Sequence, residues 1–408
     1  MVATLRSLQA QSVESRHNLY CDPGRIEMNQ DTEICLIDEL RELKEAKSAF
    51  LDEAVAWNPL SHYTSAAHFQ QELTNVLRAL PLVIGHSSEL QGSGAFLQRE
   101  AGGVPVLVTR DASGQVNAFV NVCRHRGTRL VDEEAGCKHR FSCPYHAWTY
   151  ANTGELLAAP QFEQGFPDED KVQLGLRRLP CQERFGFIWV IASPHAAVDL
   201  NAYFEGLGHD LDALGIDQMA IAQEYSEVRR ANWKVLIEGG LEAYHFKVAH
   251  RTTIGPHFEN NLSSYQVFGP HLRSILPRTS MARLSPEDKK TWRLRDHANI
   301  IYTLFPTCQL LVQQDHVVWI TLQPLAAGET RLRLVTLAPA DRLHEEEHWR
   351  RNHMITRTTL TEDFVIGESI QAGTISGAND SMLFGRYEGA LDQFNRTVQR
   401  FLEEGRKS

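Results

Sequence analysis

A chain of 408 residues can bury more than one core, and its 42% apolar and 23% charged residues exclude a disordered, fibrous or membrane-embedded protein. A net charge of −10, with no block of Lys or Arg to gather counterions, argues against nucleic acid as a partner. Seven cysteines, odd in number and thinly spread, argue against a secreted disulfide framework and leave thiols available for metals.

The N-terminal MVATLRSLQAQS lacks the apolar run of a signal peptide, and the most apolar stretch, Phe185 to Ala192, is too short to span a bilayer, so a cytoplasmic protein is expected. From Leu36 to Ala54 the apolar residues Leu36, Ile37, Leu40, Leu43, Phe50, Leu51 and Ala54 fall mostly at three- and four-residue steps, which predicts an amphipathic helix. A second helix is predicted from Ser65 to about Leu80, stopped by Pro81. Residues 1–57 thus read as an appended helical arm.

From Gly103 the texture changes to short β-rich runs, VPVLVTR and VNAFVNV around a turn at DASGQ, then Arg140 to Tyr150, then ERFGFIWVIA. Ser193-Pro194 marks a boundary, giving a small all-β domain over 58–195. The remainder, 196–408, reads as α+β: a helix from Asn232 to His250, several strands over 299–338, then helical spacing over Trp349–Ser376 and Leu383–Leu402.

The first constellation is Cys123-x-His125, seventeen intervening residues, then Cys143-x2-His146. Two mixed pairs, each on its own loop, suit a [2Fe–2S] cluster in which one iron takes two thiolates and the other two imidazoles. Replacing thiolate by neutral imidazole raises the potential to between about −150 and +300 mV. Two Cys and two His also satisfy tetrahedral zinc, but a zinc finger normally keeps its cysteines in one pair and its histidines in the other. Cys137 and His139, inside the loop, form no second mixed pair and read as bystanders.

NVCRHRGTRL and CPYHAWTY resemble the two cluster-binding boxes of the Rieske domain in the α subunits of aromatic-ring-hydroxylating, non-haem iron oxygenases. The resemblance covers most of the chain after residue 60. It implies loops shaped by Gly127 and Pro144, Tyr145 and Trp148 packed around the cluster, and Ala147 in place of a usual glycine. It also implies a helix-grip (START-like) form for the α+β catalytic half.

The second constellation, ANWKVLIEGGLEAYHFKVAH, holds Glu238, Glu242, His245 and His250. His245 and His250 are five apart, so a distortion or a helix end near Lys247 is needed for both to reach one metal. By resemblance to the family's iron-binding helix these two are iron ligands, and TEDFVIGESIQAG supplies the third, Asp363, ahead of Glu362 and Glu368. Two imidazoles and one carboxylate form the facial triad of non-haem Fe(II) oxygenases. Glu242 stands where the family usually has an Asp that links a cluster histidine of one subunit to an iron histidine of the next. Glu there resembles oxygenases acting on quaternary amines such as carnitine, choline or glycine betaine, and the bland alternative is a carboxylate that merely orients His245 or His250. Gly239, where relatives often have Asn, has no assigned role.

His344-Glu-Glu-Glu-His348 matches the zinc-protease pattern H-E-x-x-H, but its strongly polar surroundings make it a solvated helix face. Substrate is expected against a sheet carrying Ile301, Leu304, Phe305, Leu311, Gln313 and Trp319, with Tyr244, Phe246, Tyr302 and Phe305 as possible faces for a cation. The resemblance thus implies an oxygenase component that hydroxylates a small organic substrate, a quaternary amine or alternatively an aromatic acid. Its electrons would come from NAD(P)H through a separate reductase or ferredoxin, and its assembly would be a homotrimer or a group of trimers.

Overall fold

The computed structural model describes residues 30–406, so most of the expected arm lies outside the described residues. What is described of it packs on the body. The helix Gln30–Glu45 buries Leu36, Ile37 and Leu40 in a core shared with Trp189, Trp292 and Trp319. It stops at Glu45 rather than running to Ala54. The run Lys44–Ser48 offers only Ala46 as an apolar residue to the next turn, Lys47 turns left-handed (φ 50°), and Phe50 instead docks edge-on to Tyr265 at 5.4 Å.

The all-β domain is built from small antiparallel sheets. A five-stranded sheet runs in the order Arg178–Leu179, Val116–Val120, Val104–Arg110, Ala95–Ala101, Ala135–Cys137. Beside it lie a three-stranded sheet that includes Leu82–His86 and Phe187–Val190, and a small sheet of Arg140–Ser142, Thr149–Ala151 and Leu156–Ala158. The expected start of this domain at residue 58 is too early. Strand Ala56–Pro59 pairs with Ser381–Phe384, and the short helices Ser61–Thr64 and Ala66–Glu72, continued by a wider turn over Leu73–Leu77, join the catalytic half.

That half is one seven-stranded antiparallel sheet, ordered Met219–Arg229, Glu329–Pro339, Val317–Ala326, Cys308–Val312, Ala298–Leu304, His271–Pro277, Ser264–Phe268. The long helix Glu346–Gly373 and the C-terminal helix Gly389–Gly405 pack beside it. Leu383 and Phe384, expected to begin the last helix, are strand instead because Ser381–Phe384 pairs with Ala56–Pro59. Among the described residues no helix is long and apolar enough to cross a membrane.

The expected helix over Asn232–His250 is broken. Asn232 caps Trp233–Glu238 by accepting the Lys234 N–H at 2.9 Å, and Gly239-Gly240 ends it. Gly240 packs against the Gln309 side-chain amide, which a Cβ added there, 2.9 Å away, would push aside. The break therefore precedes His245 instead of falling near Lys247, and a separate short helix, Phe246–Ala249, carries the chain from one histidine to the other.

Trp233 and Lys234 do not face the histidines. The Trp233 indole donates to Glu72 at 2.9 Å and the fully buried Lys234 ammonium pairs with the other oxygen of that carboxylate, which clamps residues 66–72 to the catalytic half. Removing one partner of a fully buried pair strands the other charge. Glu72→Ala is expected to lose about 3–5 kcal/mol in denaturant unfolding, while Glu72→Leu combined with Lys234→Met recovers most of that loss.

Candidate metal centres and substrate cavity

Two loops of matching design carry the cluster residues. In one, Cys123 N–H donates to Thr128 C=O (2.8 Å) and Gly127 N–H to Cys123 C=O (3.0 Å); in the other, Cys143 N–H donates to Trp148 C=O (2.8 Å) and Ala147 N–H to Cys143 C=O (3.0 Å). Gly127 and Ala147 occupy the same place and both are left-handed, at φ 76° and 57°. Ala147 thus adopts the backbone that the glycine usual at this position would adopt freely.

The loops set the thiols inside and the imidazoles outside. Cys123 and Cys143 are buried in an apolar cluster with Phe141, Trp148 and Tyr150, whereas His125 is half-buried and His146 exposed. The two imidazole rings lie 4.7 Å apart, with His125 stacked on Trp148 at 5.0 Å. Nδ1 of His125 is buried without a hydrogen-bond partner, as an imidazole nitrogen reserved for a metal would be. Burial raises the Cys123 thiol, against hydrogen bonds from the Tyr150 hydroxyl and the His125 N–H, and neighbouring Cys143 raises it further. Two buried thiols, an orphaned imidazole nitrogen and donors aimed at sulfur fit an iron–sulfur cluster, held by Cys123, His125, Cys143 and His146.

The Tyr150 hydroxyl lies 3.3 Å from Cys123 Sγ and accepts the Arg124 N–H at 3.0 Å, which leaves its proton for the sulfur. Such a bond favours the reduced, more negative cluster. Tyr150→Phe is therefore expected to lower the midpoint potential by on the order of 40 mV, taking one hydrogen bond as about 1 kcal/mol, in a spectroelectrochemical titration.

The second centre is a triangle of donors. Asp363 Oδ1 lies 2.9 Å from His250 Nε2 and 3.4 Å from His245 Nε2, and the two Nε2 atoms are 3.2 Å apart. Metal–ligand bonds of about 2.1 Å at right angles put neighbouring donors about 3 Å apart, so one ion fits the face of this triangle. These three are the one group of His, Cys, Asp and Glu among the described residues whose donor atoms converge closely enough for a single ion. The H-E-x-x-H decoy forms no such group: His348 is bonded to Asp315 at 2.8 Å and Glu347 to Arg350 on an exposed helix start.

Each histidine is oriented from behind by its own carboxylate. Glu242 accepts from His245 Nδ1 and from the His245 and Tyr244 backbone N–H groups. Glu362 accepts from His250 Nδ1 at 2.7 Å and from the Thr253 hydroxyl at 2.6 Å. Sequence reading set Glu362 aside as a failed ligand and missed this role, although its position beside Asp363 was the available signal. Glu238 turns away, accepting from Tyr63 and Asn395 at 2.7 Å each, and burial pushes it up to about 7. Glu368 accepts the Arg230 N–H at 3.0 Å instead of joining the triangle.

Burial opposes charge on His245, yet its bonds to Asp363 and Glu242 push it up to about 10. Burial would likewise raise Asp363, but the two imidazoles hold it below the usual carboxylate range. With Glu242, Glu362 and Asp363 around two imidazoles the centre calls for positive charge, which an iron ion would supply. Glu362→Gln is expected to weaken iron binding about 10- to 100-fold by chelator competition, leaving the visible spectrum of the cluster unchanged.

A cavity of about 360 Å³ opens one helical turn from Asp363, lined in part by Thr359 and Leu360 of the same helix. Ile254, Phe258, Thr359 and Leu360 form its inner wall; Phe258 packs edge-on to Phe246 at 5.3 Å, which packs edge-on to His250 at 5.3 Å. Of the residues expected to enclose substrate, Leu311 and Gln313 line this cavity. Ile301 lies in the adjoining apolar cluster, whereas Leu304, Phe305 and Trp319 point into other cores. The expected cation faces are displaced too. Tyr244 is exposed against Tyr387, Tyr302 is buried on Asp210, Phe305 packs on Phe394 and Phe401, and only Phe246 stays near the triangle.

Comparison with known proteins matches residues 81–180 to the Rieske [2Fe-2S] domain and residues 216–404 to the ring hydroxylating alpha subunit catalytic domain. The chain belongs to the Rieske ring-hydroxylating alpha-subunit family. Within that family it is 35% identical over 193 residues to the glycine betaine monooxygenase oxygenase subunit of Pseudomonas aeruginosa, covering 47% of this chain and 44% of that protein. It is 34% identical over 200 residues to the carnitine monooxygenase oxygenase subunit of Escherichia coli, covering 48% and 52%. The matched segments thus span about half the length of these curated relatives. A solved quaternary ammonium Rieske monooxygenase, described in terms of carnitine oxidation by gut microbiota and inter-subunit electron transfer, shares the fold at TM-score 0.71 and 22% identity over 85% of this chain and 96% of that one. A Rieske oxygenase alpha subunit carries both a [2Fe–2S] cluster and a mononuclear iron, the two groups that the donor sets described above fit.

Proposed function

We propose that this chain is the oxygenase component of a multicomponent system, working in the cytoplasm. It takes electrons that originate in NAD(P)H from a separate reductase or ferredoxin and uses them, with dioxygen, to hydroxylate a small organic substrate. The observation that carries this reading is the 2.9–3.4 Å triangle of His245, His250 and Asp363, with an open-mouthed cavity one helical turn away, on the same chain as two loops that each pair a Cys with a His. When bound, the cluster supplies single electrons and the iron supplies the dioxygen chemistry.

The chain's own residues do the rest. Cys123, Cys143, His125 and His146 would hold the cluster, with its imidazole side toward solvent. Glu242 would keep the proton of His245 on Nδ1, so that Nε2 presents its lone pair to the metal, and Glu362 would do the same for His250. Phe246, Phe258 and Leu360 would exclude water from the substrate's reacting end.

Glu242 forms no bond to a cluster residue within the chain, while Tyr244 beside it and His146 on the other domain are both exposed. This supports a homotrimer or trimer-based assembly in which the cluster face of one copy meets the Glu242 edge of the next. Similarity to the betaine and carnitine enzymes, together with Glu242, favours a quaternary amine as substrate. An aromatic acid is the alternative, in keeping with the ring-hydroxylating family.

The test is incorporation of labelled oxygen. Iron-loaded protein with a broad-specificity reductase, NADH and ¹⁸O₂ is expected to label a product from a panel of quaternary amines and aromatic acids. Asp363→Ala should abolish label, and Glu242→Gln should reduce it about 10- to 100-fold with the cluster spectrum intact. Label that persists in Asp363→Ala would remove the triangle from the reaction.

A further inference from the structure

One polar wall of the cavity sets what its ligand must carry. Arg278, Asn299, Gln313 and His316 form it, with Arg283 at the exposed mouth, and no Asp or Glu side chain is among the lining residues. Arg278 is half-buried and makes no ion pair among the described residues. Its Nη2 donates to two neutral amide oxygens, Asn299 Oδ1 at 2.9 Å and Gln313 Oε1 at 2.8 Å. Nη1 and Nε have no protein partner among the described residues. The two amides hold the guanidinium plane fixed without neutralising it.

A cation would find this wall hostile. Phe258 is the one Phe, Tyr or Trp in the lining, and the Arg278 guanidinium already lies 6.0 Å from its centroid, so the ring face is shared with a positive charge. A carboxylate, by contrast, can accept a charge-assisted hydrogen bond from the unpaired Nη1. His316 adds a second demand. Its Nδ1 is 2.8 Å from the acceptor-only Asp315 carboxylate, so Nδ1 carries the proton and the buried Nε2, which has no partner, is an acceptor waiting for an O–H or N–H.

From this wall we infer that the substrate is an organic acid whose carboxylate sits on Arg278, with its reacting carbon directed along the helix face toward Asp363. The inference rests on the oxygenase reading for the reacting end alone. A zwitterion such as glycine betaine, with its cationic end toward the carboxylate-rich triangle, meets the Arg278 requirement and leaves His316 Nε2 to a water proton; choline, which lacks the carboxylate, does not meet it.

Calorimetric binding to iron-loaded protein tests this with matched pairs, glycine betaine against choline and benzoate against methyl benzoate, run beside the oxygen-label assay. The acid of at least one pair is expected to bind more than tenfold tighter than its partner. Arg278→Gln should bring that pair to within twofold, and Arg278→Lys should restore part of the preference, at unchanged iron and cluster content. Equal or tighter binding of the uncharged or cationic partners, or binding by neither acid, overturns the inference. Acids that bind through Arg278 without incorporating label would leave the inference standing and remove the oxygenase reading. Label entering choline as readily as glycine betaine would do the reverse.

Discussion

The catalytic half depends on how closely two helices approach. Asp363 lies on the long helix Glu346–Gly373, and the histidines follow the short helix Trp233–Glu238, more than a hundred residues earlier. For donors on both to share one ion, the backbones must come nearer than two ordinary side chains allow. Gly367 provides that room: a Cβ added there would lie 3.3 Å from Leu236 and 3.4 Å from Val235. One turn earlier, Phe364 is buried in the same apolar cluster as Leu236 and Ile237, and Asp363 beside it is delivered to the histidines. The apolar contact fixes the distance, and the metal donors inherit it.

The two centres treat charge in opposite ways. At the cluster loops the thiols are buried among aromatic rings while the imidazoles reach the surface, so the electron enters through a neutral, exposed edge. At the triangle, three carboxylates surround two imidazoles, and bonds from behind hold each ring before any ion arrives. Pre-orientation matters more at the second centre, where fewer protein ligands hold the ion and positions must stay open for the reaction.

Legibility in the sequence followed the range of the interaction. Cys123-x-His125 and Cys143-x2-His146 were readable because each pair sits within one tight loop, and Asp363 was readable through its motif. The end of the first helix at Glu45 was not, since Phe50, Leu51 and Ala54 continue the periodicity and only contact with Tyr265 reveals that Phe50 belongs to another surface. The helix break at Gly239-Gly240 was printed in LIEGGLEAY, but the Gln309 amide that packs against Gly240 lies about seventy residues away. The substrate wall was least legible. Neighbouring strand residues point to opposite faces, so Ile301 joins the cluster near the histidines while Tyr302 is buried on Asp210, and a list of aromatics by spacing mixes the two faces.

The cavity and the metal donors are not independent features. Asn352, Thr356, Thr359 and Asp363 follow at steps of four, three and four, one stripe of the long helix, and the first three line the cavity while the last completes the triangle. That stripe spans about 16 Å at 1.5 Å per residue, so one element runs from the cavity wall to the metal donors. A single rigid element therefore sets the separation between the polar wall and the metal. Loops around the cavity can change which group is gripped, but the distance from grip to reacting atom belongs to the helix.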